Sequence, residues 1–242
     1  MSGDPSYSPS KGTNVTSTGP FIVAVDGPAG SGKSSICHKV AEKIGWNYIN
    51  TGALYRAVGL LALRHQVDLD DEIRLATLVD DVAPHLTWNN KSKELFFKDD
   101  NLTDFLQSEE TGYAASKVAR SPIVRERLLP VQRQMTLSAE KGALVDGRDI
   151  GTVVFPEADL KVFLTASLEE RSRRRLSQLG ADDSVNLDDI KQGLARRDNR
   201  DEHRDVAPLK QAEDALVLDT SNINFDQTVD ALIEMIRERG LI

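Results

Sequence analysis

The chain has 242 residues, of which 40% are hydrophobic and 28% are charged, and its formal net charge at pH 7 is −8. These values are ordinary for a soluble globular protein of one or two domains, and the negative charge disfavours nucleic acid as the main partner. No apolar run approaches the roughly 18 residues of a membrane span, and the single cysteine, Cys37, excludes an internal disulfide. We therefore expect a cytoplasmic protein that binds neither membranes nor nucleic acid.

The first 19 residues are rich in Ser, Thr, Gly and Pro and contain no apolar stretch. This composition predicts a disordered tail over 1–19 and argues against a secretory signal. We expect residues 20–242 to form the folded domain.

A short apolar run, 21–26, comes next and predicts a strand buried on both faces of a parallel sheet. Directly after it, Gly27, Gly32, Lys33 and Ser34 complete the pattern G-x-x-x-x-G-K-S. In such a loop, backbone N–H groups hold phosphate, the lysine reaches the β and γ phosphates, and the serine hydroxyl ligates Mg²⁺. The pattern predicts a site for ATP and Mg²⁺, with Ser34 as metal ligand. The residues expected to hold the triphosphate are Gly27, Pro28, Ala29, Gly30, Ser31, Gly32, Lys33, Ser34 and Ser35.

Further short apolar runs follow along the chain, with helical patterns between them. They lie at 48–49, 143–146, 160–166 and 215–220. Strands that alternate with helices form a parallel sheet with right-handed crossovers. The predicted fold class is therefore α/β, with a parallel five-stranded sheet flanked by helices.

One segment, 86–106, interrupts this alternation, because it contains two or three short strand patterns separated by Asn-rich and Asp-rich turns. We expect a small antiparallel insertion rather than a domain that folds alone. The helical stretch 123–141 contains Pro130, which should kink or divide that helix.

Arginines crowd into two segments, 171–175 and 196–204. Four residues of the second segment have the spacing of one helical face: Arg197, Arg200, Asp201 and Arg204. Such a face is, by itself, more often a solvated and salt-bridged surface. In an acidic protein, however, local arginine clusters also suit a small and highly anionic ligand.

Several classes of phosphate-loop protein remain to be compared. A GTPase switch needs an N-K-x-D motif, and "NNKSKE" offers Asn-Lys without the Asp. A motor or transporter ATPase places a carboxylate for Mg²⁺ at the end of a long apolar strand, a position that Asp146 matches weakly. A kinase of the same fold for UMP or a shikimate-like acceptor, and a nucleotide-dependent switch without transfer, stay open as alternatives.

Three stretches together resemble the bacterial-type cytidylate kinases: "NTGALYR" (50–56), "DGRDIGTVVFP" (146–156) and "RRDNRDEHRDVAPL" (196–209). The resemblance runs from about Phe21 to the C-terminus. It implies a phosphate-loop nucleoside monophosphate kinase with a small α+β CMP-binding insertion at about 52–120 and a short helical lid at about 168–186. Such an enzyme moves the γ-phosphoryl group of ATP to CMP or dCMP with Mg²⁺, and we expect a monomer.

The resemblance also implies roles at the acceptor phosphate and the base. Arg56 and Arg148 would hold the acceptor phosphate, with the Thr51 hydroxyl beside them as a donor. The attacking phosphate oxygen is already anionic, so this chemistry needs cations rather than a strong base. Asp149 would accept from the cytosine amino group, and a uracil carbonyl there would leave buried groups unpaired. The residues that would complete the base edge are Arg125 and Ser116.

For the ribose, the resemblance implies Arg197 and Asp201, with Arg204 bridging toward the phosphates. In the lid, Arg171 and Arg174 would contact the transferring phosphoryl group. The expected catalytic residues are Lys33, Arg148, Arg171, Arg174, Arg197 and Arg204. The chain departs from the family at Asn50, where Asp is common, and at Ser35, where Thr is commoner.

Overall fold

A computed structural model describes residues 19–90, 92–179 and 186–242. Nearly all of the predicted tail (1–18) and the end of the predicted lid (180–185) lie outside the described residues. The strands are β1 (Phe21–Asp26), β2 (Asn47–Asn50), β3 (Leu86–Asn89), β4 (Glu94–Phe97), β5 (Asp100–Asn101), β6 (Gly142–Gly147), β7 (Leu160–Thr165) and β8 (Leu216–Asp219). The helices are α1 (Lys33–Ile44), α2 (Thr51–Arg64), α3 (Glu72–Val82), α4 (Glu109–Val118), α5 (Pro122–Leu137), α6 (Leu168–Leu179), α7 (Leu187–Glu202) and α8 (Phe225–Glu238).

The main sheet has the strand order β2-β6-β1-β7-β8, and all of its strands run parallel. This confirms the predicted α/β fold with a five-stranded parallel sheet. The central strand is β1, and its residues Val23, Ala24 and Val25 are at most 1% exposed, as expected for a strand covered on both faces. Because the carboxyl ends of parallel strands meet at one edge of a sheet, the loops after β1, β2, β6 and β7 lie together.

One face of this sheet packs against α1 and α8. Ile36 and Val40 of α1 are buried together with Val229, Leu232 and Ile236 of α8. The spacing of these residues is that of an amphipathic helix whose apolar side faces a sheet. α8 begins with a capping box, in which Asn224 and Gln227 each accept a hydrogen bond from the other's backbone N–H.

A second hydrophobic cluster lies among α2, α3, α4, α5 and a three-stranded antiparallel sheet with the order β3-β4-β5. Its largest fully buried side chains are Leu54, Leu75, Leu95, Leu102 and Leu128. The antiparallel strands within 86–106 are confirmed. Trp88 packs against this cluster and against both clusters of the main sheet, so the small sheet shares its core with the large one.

Two helices differ from the sequence prediction. α5 passes through Pro130 without division and ends at Leu137 rather than at position 141. Pro130 lies on the exposed side of α5, where water can bond the carbonyl group that loses its N–H donor.

The other helix is α7, which ends at Glu202 with His203 as its C-cap residue. The prediction that Arg204 shares a helical face with Arg197 is therefore wrong. The chain turns back after α7, and the N–H group of Leu209 donates to the carbonyl of Asp201 over 2.8 Å. None of the helices in the described ranges combines the length and the apolar composition that a bilayer crossing requires.

Candidate active site

The phosphate loop connects β1 with α1, and its glycines have conformations that other residues avoid. Gly27 has φ 151°, and a Cβ atom there would lie 2.0 Å from the carbonyl oxygen of Leu164 on β7. Gly30 and Gly32 lie in the left-handed region with φ of 74° and 90°. No acidic residue occupies the first turn of α1, which begins at Lys33, so the positive end of this helix is uncompensated. The loop therefore has the form of a phosphate site.

Lys33 is buried beneath this loop, and both hydrogen-bond partners of its ammonium group are neutral. Its Nζ donates to the carbonyl oxygen of Pro28 over 2.7 Å and to Oγ of Ser31 over 3.1 Å. Burial and the nearby Arg148 hold the pKa of Lys33 well below its usual range. An anion in the loop would relieve both effects, because it would supply the missing countercharge.

Ser34 and Asp146 meet at the point where α1 begins and β6 approaches its end. Oγ of Ser34 donates to Oδ2 of Asp146 over 2.6 Å, and the hydroxyl of Tyr48 lies 3.3 Å from Oδ1. Burial raises the pKa of Asp146 above its ordinary value. A serine hydroxyl and a buried carboxylate are oxygen ligands of the kind that Mg²⁺ prefers, so the residues present fit this ion. Sequence reasoning weighed Asp146 only weakly and left it out of the site.

Asp26, the last residue of β1, holds the loop that follows β6. Its carboxylate accepts 2.8 Å hydrogen bonds from the N–H groups of Ile150 and Gly151. Those residues begin a π-helical turn, Ile150–Val154, directly after Arg148 and Asp149. Burial raises the pKa of Asp26 to about 6 even though the two N–H groups act in the opposite direction.

Three of the predicted acceptor-site arginines are electrostatic neighbours, although they come from distant segments. Burial and Arg148 lower the pKa of Arg197 to about 10, with Arg56 contributing in the same sense. Burial, followed by Arg148 and Arg175, lowers the pKa of Arg56. The Nε atom of Arg197 is buried without a hydrogen-bond partner in the described structure. This arrangement concentrates positive charge that a bound anion would stabilise.

Asp201 and Thr51 lie beside these arginines. Oδ2 of Asp201 accepts a 3.0 Å hydrogen bond from Nε of Arg148. Although burial acts to raise it, the pKa of Asp201 is lowered by Arg148 and Arg197. The Thr51 hydroxyl donates to the carbonyl of Asp146 over 2.8 Å, so the donor predicted for the acceptor phosphate is engaged with the backbone.

The predicted base-reading residues Arg125 and Asp149 are in direct contact. Nη2 of Arg125 donates to Oδ2 of Asp149, and both side chains are buried. Arg204 joins them, since its Nη2 lies 3.5 Å from Oδ1 of Asp149. The guanidinium carbon of Arg125 lies 5.5 Å from the ring centre of Tyr55. Asp149 is therefore a carboxylate flanked by two arginines.

Ser116, the third residue predicted to read the base, has a different partner. Its Oγ accepts from Nε of Arg200 over 3.3 Å, which connects α4 with α7. The guanidinium group of Arg200 also lies over the ring of Tyr113, at 5.7 Å from the centre. Ser116 thus borders the arginine face of α7.

The arginines of α6 divide into two sets. Arg171 and Arg174, predicted to contact the transferring phosphoryl group, have other partners in the structure. Arg171 donates to the carbonyls of Ala166 and Ala29, each over 2.9 Å, and Arg174 donates to both oxygens of Thr220. Arg175 has no ion pair or hydrogen bond within the described residues, and it lies close enough to lower the pKa of Arg56.

Sequence reasoning missed four side chains at this site: Asp26, Asp146, Arg175 and Asp198. Asp26 is the last residue of β1 and Asp146 the last but one of β6, and this position near the carboxyl end of a buried parallel strand was the available signal. Arg175 shares a helical face with Arg171, and spacing alone cannot say which of them faces the cleft. No sequence signal marks Asp198, whose partners are 27 and 169 residues away.

A glycine-rich loop after the central strand, a serine–carboxylate pair and converging arginines define a phosphate-loop phosphotransferase. The family model described as cytidylate kinase matches residues 23–238. The chain therefore belongs to the cytidylate kinase family.

Comparison with individual proteins supports membership of this family. A cytidylate kinase of Bdellovibrio bacteriovorus is 42% identical over 219 residues, which cover 90% of this chain and 99% of that protein. A cytidylate kinase of a Geobacillus species is 41% identical over 218 residues, with 90% and 96% covered. Among solved structures, an uncharacterized protein from Eubacterium ventriosum has a TM-score of 0.51 at 14% identity, covering 90% of this chain and 98% of that one. That similarity concerns the fold alone.

Proposed function

We propose that the protein transfers the γ-phosphoryl group of ATP to CMP or dCMP, giving ADP and CDP or dCDP. An oxygen of the acceptor phosphate bonds to the γ-phosphorus, while the bond from that phosphorus to the β–γ bridging oxygen breaks and ADP leaves. The observation that carries the proposal is the convergence of Arg56, Arg148 and Arg197 near Lys33 and the phosphate loop.

On the donor side, residues 27–35 would enclose the triphosphate and the N–H groups of residues 30–35 would bind it, because Pro28 has no N–H group and that of Ala29 donates to Asp198. Lys33 would bond the terminal phosphates. Ser34 and Asp146 would hold Mg²⁺, which neutralises charge on the phosphate oxygens when it is bound. The hydrogen bond between these two side chains supports the assignment, because it already places two hard oxygen ligands side by side.

On the acceptor side, Arg56 and Arg148 would bind the phosphate of CMP through their planar guanidinium groups. Repulsion between the two anionic substrates is the main barrier to such a transfer, and fixed cations reduce it. Asp201 supports this role, since its carboxylate orients Arg148 while leaving the cluster positive. Thr51 would border the same phosphate, and its hydroxyl would donate to a phosphate oxygen in place of the carbonyl of Asp146.

At the base, Asp149 would accept a hydrogen bond from the amino group of cytosine, and Arg125 and Ser116 would donate to its acceptors. The carboxylate would face a carbonyl oxygen if uracil were bound, which leaves buried polar groups unpaired and disfavours UMP. Arg197 and Asp201 would hold the ribose hydroxyls, and Arg204 would link the base pocket to the phosphates.

We assign the phosphoryl contact of the lid to Arg175 rather than to Arg171 and Arg174. The guanidinium groups of Arg171 and Arg174 are held by backbone carbonyls, whereas Arg175 lies close enough to Arg56 to lower its pKa. A cation added at this point would stabilise charge on the transferring group.

An ADP-release assay with ATP, Mg²⁺ and a panel of nucleoside monophosphates tests the function. We expect high turnover with CMP and dCMP and little with UMP, AMP or GMP, and no transfer by Lys33→Ala. Lys39→Ala is the matched control, because Lys39 is an exposed lysine of the same helix that pairs with Glu42. Equal rates with UMP would favour a kinase of the same fold that acts on another small acceptor. Slow ATP hydrolysis at a rate that does not depend on the acceptor would favour a nucleotide-dependent switch without transfer.

We also propose that the protein acts as a cytoplasmic monomer that does not bind nucleic acid. The net charge of −8 and the single, buried cysteine support this. Light scattering of the purified chain, alone and with ATP and CMP, measures the oligomeric state directly.

A further inference from the structure

Asp198 on α7 and Arg171 on α6 together bond both backbone polar groups of one residue of the phosphate loop, Ala29. Oδ1 of Asp198 accepts from the N–H group of Ala29 over 3.0 Å, and Nη1 of Arg171 donates to the carbonyl of Ala29 over 2.9 Å. The same Nη1 atom bonds to Oδ2 of Asp198. All three residues are at most 7% exposed, so water does not compete with these bonds.

These contacts fix the two peptide planes that flank Ala29. In a trans peptide, the C=O group and the following N–H group point in opposite directions. Because Arg171 draws the carbonyl of Ala29 toward α6, the N–H group of Gly30 points away from α6. Arg174 acts in the same way two residues further along, since its Nη1 donates over 3.4 Å to the carbonyl of Ser31, the residue before Gly32.

The packing around Gly30 agrees with a rigid contact. A Cβ atom at Gly30 would lie 3.4 Å from a methyl group of Leu194 on α7 and 3.5 Å from Cβ of Arg171. α6 and α7 thus both lie against the phosphate loop, and the ion pair joins them where they meet it.

We propose that Asp198, acting through Ala29 and together with Arg171, is a positioning residue that sets the direction of the phosphate-binding N–H groups. The proposal deepens the proposed function, because it rests on the loop binding ATP. Asp198 lies between Arg197 and Asp201 on α7, yet its carboxylate serves the donor side, whereas the side chains of Arg197 and Asp201 serve the acceptor side. A purely structural role in α7 would disturb both sides equally.

Two variants of the intact protein test this, with ATP affinity measured by calorimetry without acceptor and both KM values measured in the transfer assay. Asp198→Asn keeps an acceptor for the N–H group of Ala29 but removes the negative charge that pairs with Arg171. The lysine of Arg171→Lys cannot bond Ala166, Ala29 and Asp198 together. For each variant we expect ATP affinity to fall about 10-fold and the KM for ATP to rise similarly. The KM for CMP should stay within about twofold.

Lys191→Gln is the matched control, because it removes another α6–α7 ion pair, Lys191 with Glu169, that is exposed and does not touch the loop. It should leave every constant within about twofold. If the double variant of Asp198→Asn and Arg171→Lys binds ATP no more weakly than either single variant, the two residues act as one unit.

The inference is overturned if Asp198→Asn and Arg171→Lys, when folded, bind ATP like the wild type, or if the KM values for ATP and CMP rise together. Thermal unfolding identifies a variant that fails to fold, and the other variant then decides. The ATP affinities are measured without acceptor, so they decide this inference even if CMP proves not to be the substrate, whereas the acceptor panel decides the proposed function.

Discussion

The hydroxyl group of Ser34 donates a 2.6 Å hydrogen bond to Asp146, which lies 112 residues further along the chain. This contact places the first turn of α1 against β6 at the edge of the sheet where the phosphate loop lies. The carboxylate is buried, and burial raises its pKa, so the fold keeps a charge here at an energetic cost. Buried groups held at a cost to stability are typical of functional sites.

Asp146→Asn keeps the shape of this side chain and removes its charge. We expect kcat/KM to fall by about 100-fold or more, and the Mg²⁺ concentration for half-maximal rate to rise, because a charged ligand is lost. The thermal midpoint should not fall, since the neutral amide costs less to bury. Asp214→Asn, at an exposed carboxylate paired with Lys161, is the control. Unchanged Mg²⁺ dependence would contradict the assignment.

Asp149→Asn should reduce base selection. An amide presents both an acceptor and a donor, so it can pair with the amino group of cytosine or with the carbonyl of uracil. We expect the CMP/UMP ratio of kcat/KM to fall about 10-fold. Asp80→Asn breaks a different Asp–Arg pair, with Arg127, at the surface and should leave the ratio unchanged. A wild-type ratio in Asp149→Asn would refute the proposed reading of the base.

Gly112→Ala should weaken the acceptor site without weakening the fold. A Cβ atom at Gly112 on α4 would lie 3.2 and 3.3 Å from the terminal nitrogens of Arg56, so this guanidinium group must shift. We expect the KM for CMP to rise about 5-fold, which corresponds to about 1 kcal/mol of binding.

Alanine favours a helix over glycine, so the unfolding midpoint of this variant should not fall. Gly193→Ala on α7 is the control, because a Cβ atom there meets nothing within 4 Å. It should stabilise the protein without changing any KM. An unchanged KM for CMP in Gly112→Ala would show that Arg56 does not bind the acceptor.

The buried carboxylate of Asp26 should make stability depend on pH. Its pKa rises from 3.8 to about 6 on folding, so the folded state binds this proton more tightly than the unfolded state. The stabilisation from that proton is complete below the unfolded pKa and is lost as the pH rises through about 6. Between pH 5 and pH 7.5, the wild type should lose about 1 kcal/mol more unfolding free energy than Asp26→Asn.

Urea unfolding of both proteins at the two pH values measures this difference, and the other titrating groups cancel because the two proteins share them. Curves that remain parallel between the wild type and Asp26→Asn would show that Asp26 does not titrate in this range.

The features that sequence predicted well are those fixed by local constraints. β1 was predicted with its correct bounds, because a buried strand followed by glycines leaves the backbone few alternatives. The small antiparallel sheet was also recognisable, because its Asn-rich and Asp-rich turns are local signals.

The features that sequence missed depend on distant partners. Periodicity placed Arg204 on α7, but the helix ends at Glu202, and its C-cap residue is His203 rather than a glycine that would mark the end. Spacing showed that Arg171, Arg174 and Arg175 share a face, but it could not show that two of them meet the phosphate loop. Such contacts become visible only when α6 is placed against a loop more than a hundred residues away.

The central position of β1 has a consequence for how the protein is made. Phe21 pairs with Gly142 on one side and Val23 pairs with Leu160 on the other, so β1 is synthesised long before the two strands that flank it. A nascent chain that has not yet reached Gly142 contains the whole glycine-rich sequence but lacks both strands that pair with β1. Until then the loop lacks the sheet that positions it, so we expect nucleotide binding only after these distant strands have been made and have paired with β1.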